Sequence, residues 1–164
     1  MLKKLEQLIL SANFKEAEEL YHNSEFDQFQ SELISNTYDN GNIMSYTFLH
    51  YLLMQEESVE LHNLALSLFT CSLTHIEGAY HCALFHAEKL VALTNEQDPD
   101  TLEHLLFLNE VPDQLVSNEK ALETCHKILT LDPMNKYAKE TLKKFTKKNK
   151  TSLKVIQRKL KKKF

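Results

Sequence analysis

Two Cys–His pairs are the residues whose spacing comes closest to chemistry. Cys71 and His75 stand four residues apart, as do Cys82 and His86. On a helix that spacing puts both side chains of a pair on one face. The pairs flank Gly78, so two antiparallel helices turning there could gather four ligands. Zinc takes two thiolates and two imidazoles in a tetrahedron. Structural zinc sites, however, place their ligands on tight loops. Cys71 also continues the apolar face of Leu64 and Leu68, where a cysteine serves as a small hydrophobe. The expectation is no metal. His22, His50, His62, His81, His104 and His126 are scattered and form no recognisable cluster.

Other catalytic constellations are missing from the sequence. Acyl transfer needs a nucleophile, a base and an oxyanion donor in register. No Gly-x-Ser-x-Gly elbow occurs, and two glycines in the whole chain leave no glycine-rich phosphate loop. The carboxylate pairs Glu18-Glu19 and Glu56-Glu57 are sequence neighbours, so they splay apart on a helix and read as solvated surface. The expectation is a non-enzymatic protein without a cofactor.

The elements that would position any site are helical. The chain has 164 residues, with two Gly, three Pro and 43% hydrophobic residues, which suits one mostly helical domain. Leu2, Leu5, Leu8 and Ile9 mark a first helix. Asn13 can cap a second over 14–22. A third starts at Ser24 and carries Phe26, Phe29, Leu33 and Ile34. The stretch 36–42, with Gly41, reads as a turn. Apolar residues on more than one face predict a buried helix over 43–54. Helices over 59–73 and 79–93 follow, turning at Gly78. Ala79, Ala83 and Ala87 would let the second pack closely. An apolar run long enough to span a bilayer is missing. Lys3, Lys4, Glu6 and Gln7 make the N-terminus an amphipathic helix, not a secretory signal. Three cysteines without framework spacing fit a reducing cytoplasm, the expected location.

The segment 117–145 is the best-formed. Ala121, Leu122, Cys125, Ile128 and Leu129 recur at helical spacing, and Ser117 or Asn118 can cap their helix. Pro133 turns Asp132 away from the α conformation, which ends that helix near Leu131. Asp132 can then cap a further helix bearing Ala138, Leu142 and Phe145. The same punctuation stands upstream: Asp98-Pro99 precedes Asp132-Pro133 by 34 residues, and Ala87 precedes Ala121 by 34. That is the period of a tetratricopeptide repeat.

Over 79–148 the chain resembles that family, with alanine, leucine, Asp-Pro, Asn135 and alanine in the family's order from Ala121 to Ala138. It departs from the family at Asn95-Glu96-Gln97, at the loop 109–115 with Pro112, and in the large aromatic and glycine of the first helix. The resemblance implies an all-α fold: a right-handed stack of antiparallel helix hairpins, a tetratricopeptide-like solenoid. It implies one helical-repeat domain over 1–148, degenerate over 1–78, with a basic C-terminal helical tail over 149–164. It further implies a protein-binding scaffold, adaptor or regulator, whose partner-facing groove holds Glu103, Leu106, Glu110, Tyr137, Glu140 and Lys144.

Charge is unevenly spread. Residues 1–140 hold all 23 acidic and 8 of the 19 basic residues, while 141–164 hold 11 basic and no acidic ones. The groove would be acidic and suit a peptide or a basic or amphipathic helix. The tail carries Lys147, Lys148, Lys150, Lys154, Arg158, Lys159, Lys161, Lys162 and Lys163. Leu153, Ile156 and Leu160 continue a seam from Ala138, either in one helix or after a break at Asn149 to Ser152. The tail could dock on the acidic body or a partner protein. An alternative reading is a nucleic-acid- or anionic-membrane-associated factor held by this tail.

Overall fold

The computed structural model describes residues 2–147. Every regular element among them is helical: α1 (Leu2–Leu10), α2 (Phe14–His22), α3 (Phe26–Asn40), α4 (Met44–Leu53), α5 (Val59–Ser67), α6 (Ala79–Leu93), α7 (Pro99–Glu110) and α8 (Asn118–Leu131). Residues 136–147, here α9, are helical too. Among the described residues no helix is long and apolar enough to cross a membrane. The expected C-terminal helical tail, 149–164, lies outside them.

Local chemistry sets most boundaries. Ser58, Asp98 and Ser117 occupy N-cap positions, and each side chain accepts from a backbone N–H of the first turn. This satisfies a donor that the helix itself leaves orphaned. Pro99 sits in the first turn of α7, where a missing N–H is harmless. Gly78 enters α6 at φ +81°, a left-handed conformation that favours glycine.

Four boundaries differ from the sequence reading. Helix α3 continues to Asn40, and the turn is confined to the residues after it. Gly41 terminates the helix at φ +61°, with its N–H on the Thr37 carbonyl. Ser24 does not start α3: its hydroxyl donates to the Tyr21 carbonyl, closing α2. The helix of 59–73 is α5 followed by a π-helical turn, Leu68–Ser72, closed by Leu73 N–H on the Leu68 carbonyl at 2.8 Å. The widened turn sends Ser72 inward and leaves Cys71 exposed. Asp132 does not cap α9. Its carboxylate accepts from Met134 N–H, and Asn135 Oδ1 caps the helix by accepting from Ala138 N–H at 2.9 Å.

The described chain forms two compact units, residues 1–95 and 96 onward. The division in the chain falls between Asn95 and Glu96, which adopt φ of 51° and 57°. In the first unit α5 and its π-turn pair with α6 as an antiparallel hairpin, α4 packs on α5, and α3 packs on the π-turn. Phe29, Leu33, Phe48, Leu49, Leu64, Leu68 and Phe69 form its core. In the second unit α7 pairs with α8. Leu106, Leu108, Ala121, Cys125, Ile128 and Ala138 are fully buried there. Helix α9 lies along α7 in the same direction. Asn135 meets Glu103 at the start of both, and Lys144 meets Glu110 at their ends. The second unit is therefore one hairpin with a third helix laid parallel to its first.

The 34-residue spacing of Ala87 and Ala121 does not carry over to position within a helix. Ala87 is the ninth residue of α6, and Ala121 the fourth of α8. Both are fully buried. The Asp-Pro steps differ as well: Pro99 opens a helix directly, whereas Pro133 lies in a turn ahead of α9.

Candidate functional site

The surface shared by α7 and α9 gathers most of the expected groove residues. Asn135 Nδ2 donates to Glu103 Oε1 at 2.7 Å, and Lys144 Nζ donates to Glu110 Oε1 at 2.8 Å. Tyr137, half-buried, lies between these two ties. Its phenol is pushed up to about 12 by burial, with the Glu110 and Glu103 carboxylates adding to it. Two carboxylates thus act on a partly desolvated ring, one of them paired with Lys144. Glu140 is exposed on α9. Leu106 is fully buried, so it supports this surface from beneath and cannot touch a partner. On α8 the Cys125 thiol is buried and raised to about 11, by burial and then by Glu110. It is a protonated core group, not a nucleophile.

At the far end of this surface the loop between α7 and α8 opens a cleft of about 490 Å³, bounded by Val111, Pro112, Gln114, Phe145 and Lys147. The loop is held by Asn109, whose Nδ2 donates to the Val116 carbonyl at 2.8 Å and to Asn118 Oδ1 at 3.2 Å. Thr141 also lines the cleft. It is 1% exposed, and its hydroxyl makes no hydrogen bond, which is uncommon for a buried polar atom. Of the basic tail, Lys147 stands at the cleft rim. Lys148, Lys150, Lys154, Arg158, Lys159, Lys161, Lys162 and Lys163 lie outside the described residues.

A second cleft, of about 400 Å³, lies in the first unit between Tyr21, Phe26, Glu56 and Glu60. Tyr21 is raised by burial, then by Glu56 and Glu60. Glu18 at its edge accepts from Tyr51 Oη at 2.9 Å.

The four candidate zinc ligands are not brought together. Cys71 and His75 are exposed, Cys82 is half-buried and His86 is fully buried. His75 instead lies against Gly41, whose added Cβ would stand 3.3 Å from its ring. Among the described residues no group of three or more His, Cys, Asp or Glu side chains is placed to hold a metal ion.

The structure instead joins His86, one of the candidate zinc ligands, to His62, one of the histidines that the sequence left scattered. His62 Nδ1 and His86 Nδ1 are 2.8 Å apart between α5 and α6. His62 Nε2 reaches Glu57 Oε1 at 3.1 Å, and Lys89 Nζ donates to the same oxygen at 2.9 Å. At the other end His86 Nε2 meets Tyr46 Oη at 3.2 Å. The Phe69 ring stacks on His86 from the π-turn, and Phe85 meets it edge-on. Burial is the main cause holding His86 down to about 4, with His62 and then His50 adding to it. Glu56 and Glu57 are both exposed, as expected, and Glu57 is held below the usual carboxylate range by its bonds from Lys89 and His62. The only hint in the sequence was the apolar company of these histidines.

No protein-family model matches this chain, and neither the curated proteins nor the solved structures contain a match to it.

Proposed function

We propose that the chain is a non-catalytic protein-binding module of tetratricopeptide-like type, and that its partner lies along α7 and α9. One observation carries this reading. Two parallel helices, tied at both ends, present Glu103, Tyr137, Glu110 and Glu140 on one side and end in a cleft. Carboxylates around a half-buried aromatic ring suit a basic or amphipathic helix, whose cations meet the acids and whose apolar face meets the ring. The parallel course of α7 and α9 is compatible with stacked hairpins, and the right-handed solenoid expected from the resemblance belongs to the same reading. Cytoplasmic residence belongs to the same reading.

Affinity capture with the full chain from its native host tests it. The wild-type chain is expected to retain one protein through moderate salt. The Glu103→Lys/Glu110→Lys variant is expected to lose it. Retention indifferent to the charge reversal contradicts the reading.

The basic run of 141–164 favours a second reading, attachment to nucleic acid or an anionic membrane through the tail. Binding of that kind weakens steeply as salt rises, because counterions are released from the phosphates. It would vanish on deleting 149–164 and ignore changes at Glu103 and Glu110.

A further inference from the structure

The chain Tyr46–His86–His62–Glu57–Lys89 lies in the first unit, with its two histidines buried and its Glu57–Lys89 end open to solvent. Its proton positions follow from its ends. Glu57 is ionised, held so by Lys89 and His62, and can only accept. His62 therefore carries its proton on Nε2 and offers a bare Nδ1. His86 must then donate from Nδ1, which leaves its Nε2 bare to accept from Tyr46 Oη. Every hydrogen bond points the same way, from Tyr46 toward Glu57, and every ring nitrogen is satisfied. The opposite direction would set a lone pair of His62 against the carboxylate at 3.1 Å.

We propose that His62 and His86 form a two-stage proton latch between α5 and α6, taking one proton without losing a bond and parting on the second. With one extra proton the imidazolium still donates across the Nδ1–Nδ1 contact. His86 Nε2 then carries hydrogen, and Tyr46 Oη turns from donor to acceptor. The charge sits on His62, next to the Glu57 carboxylate. With two extra protons, N–H faces N–H at a spacing of 2.8 Å. Neither can donate, and two like charges meet where both rings are sealed from water: His62 is 3% exposed and His86 0%. Separating the rings means separating α5 from α6, whose hairpin includes the π-turn that presses Phe69 on His86.

The groups facing the pair agree with this sequence of events. Helix α4 contributes Tyr46, with His50 near enough to oppose a charge on His86. The segment ahead of α5 contributes Glu57, and α6 contributes Lys89 on that carboxylate. Cys82 lies near Tyr46, and the π-turn contributes the Phe69 ring. Among the described residues the anion bonded to the pair is Glu57, at the His62 end, so the first proton has a place and the second has none.

Nitrogen NMR of the imidazole rings in the full chain tests the latch. At pH 7.5 His62 is expected as the Nε2–H tautomer and His86 as the Nδ1–H tautomer. On acidification both rings should shift together through the first step. Tertiary signals from α5 and α6 should vanish with the second. His62→Asn keeps an acceptor near the Nδ1 position but cannot titrate. In that variant the shared first step should be lost, leaving His86 to titrate alone. Both rings as Nε2–H tautomers at pH 7.5 would overturn the proposal. So would independent titration of the two rings with the hairpin intact, or a His86 titration unchanged in His62→Asn.

Discussion

His86 shows how one buried residue sets a pH response. Its folded-state value of about 4 lies below the ordinary 6.5. The unfolded chain therefore binds the extra proton first, and stability falls as pH drops from about 6.5 towards 4. At one pH unit per 1.36 kcal/mol, the loss between pH 7.5 and pH 5 is about 2 kcal/mol. Urea unfolding at the two pH values measures it, and equal stabilities would contradict the burial described. Thr141 offers the opposite test. Its buried hydroxyl is unpartnered, so Thr141→Val removes a desolvated polar atom at little cost in shape. The expected change is between neutral and about 1 kcal/mol of stabilisation. Leu106→Ala, in contrast, opens a cavity under α7 and should cost about 2–5 kcal/mol in the same assay. Residue identity revealed little of this in advance. His62 and His86 stand 24 positions apart, and only the register of α5 against α6 turns their Nδ1 atoms towards each other.

At the scale of the element, caps and prolines were legible because they act within a few residues. Ser117 and the Asp98-Pro99 step do locally what their side chains allow anywhere. Gly41 was read as part of a longer turn, because Asn36 to Asn42 is polar enough for a loop. Thr37 instead buries itself and donates to the Leu33 carbonyl at 2.6 Å, so packing overrode propensity. The π-turn left no mark in sequence: Leu68–Ser72 continues an ordinary apolar stripe, and the extra residue per turn comes from fitting Phe69 and Ser72 against α3 and α6. Asn135 is the decisive residue of α9. It caps that helix and ties it to Glu103, so Asn135→Ala loses two bonds at once. The expected cost is about 1–2 kcal/mol, with α9 amides losing hydrogen-exchange protection before those of α7. Ser117→Ala loses only a cap and should cost about 1 kcal/mol.

For the whole molecule, the all-helical class was legible from composition and periodicity, since two glycines and a 3.6-residue pattern leave little room for sheet. The division after Asn95 was not. Asn95-Glu96-Gln97 looked like a filled loop inside one repeat array, and nothing in its composition marks a boundary between units. Of the residues expected at the candidate surface, Glu103, Glu110, Tyr137 and Lys144 lie along α7 and α9, because those helices run parallel and are tied between positions 32 and 34 residues apart. Leu106 was misplaced because a helical stripe does not say which edge of it is sealed. The charge asymmetry is a property of the full chain. Amide hydrogen exchange on the full chain, free and with any protein it captures, tests the proposed binding surface most directly. Slowed exchange concentrated in α7 and α9 is the expected result. Slowed exchange confined to the first unit, with α7 and α9 unchanged, would contradict it.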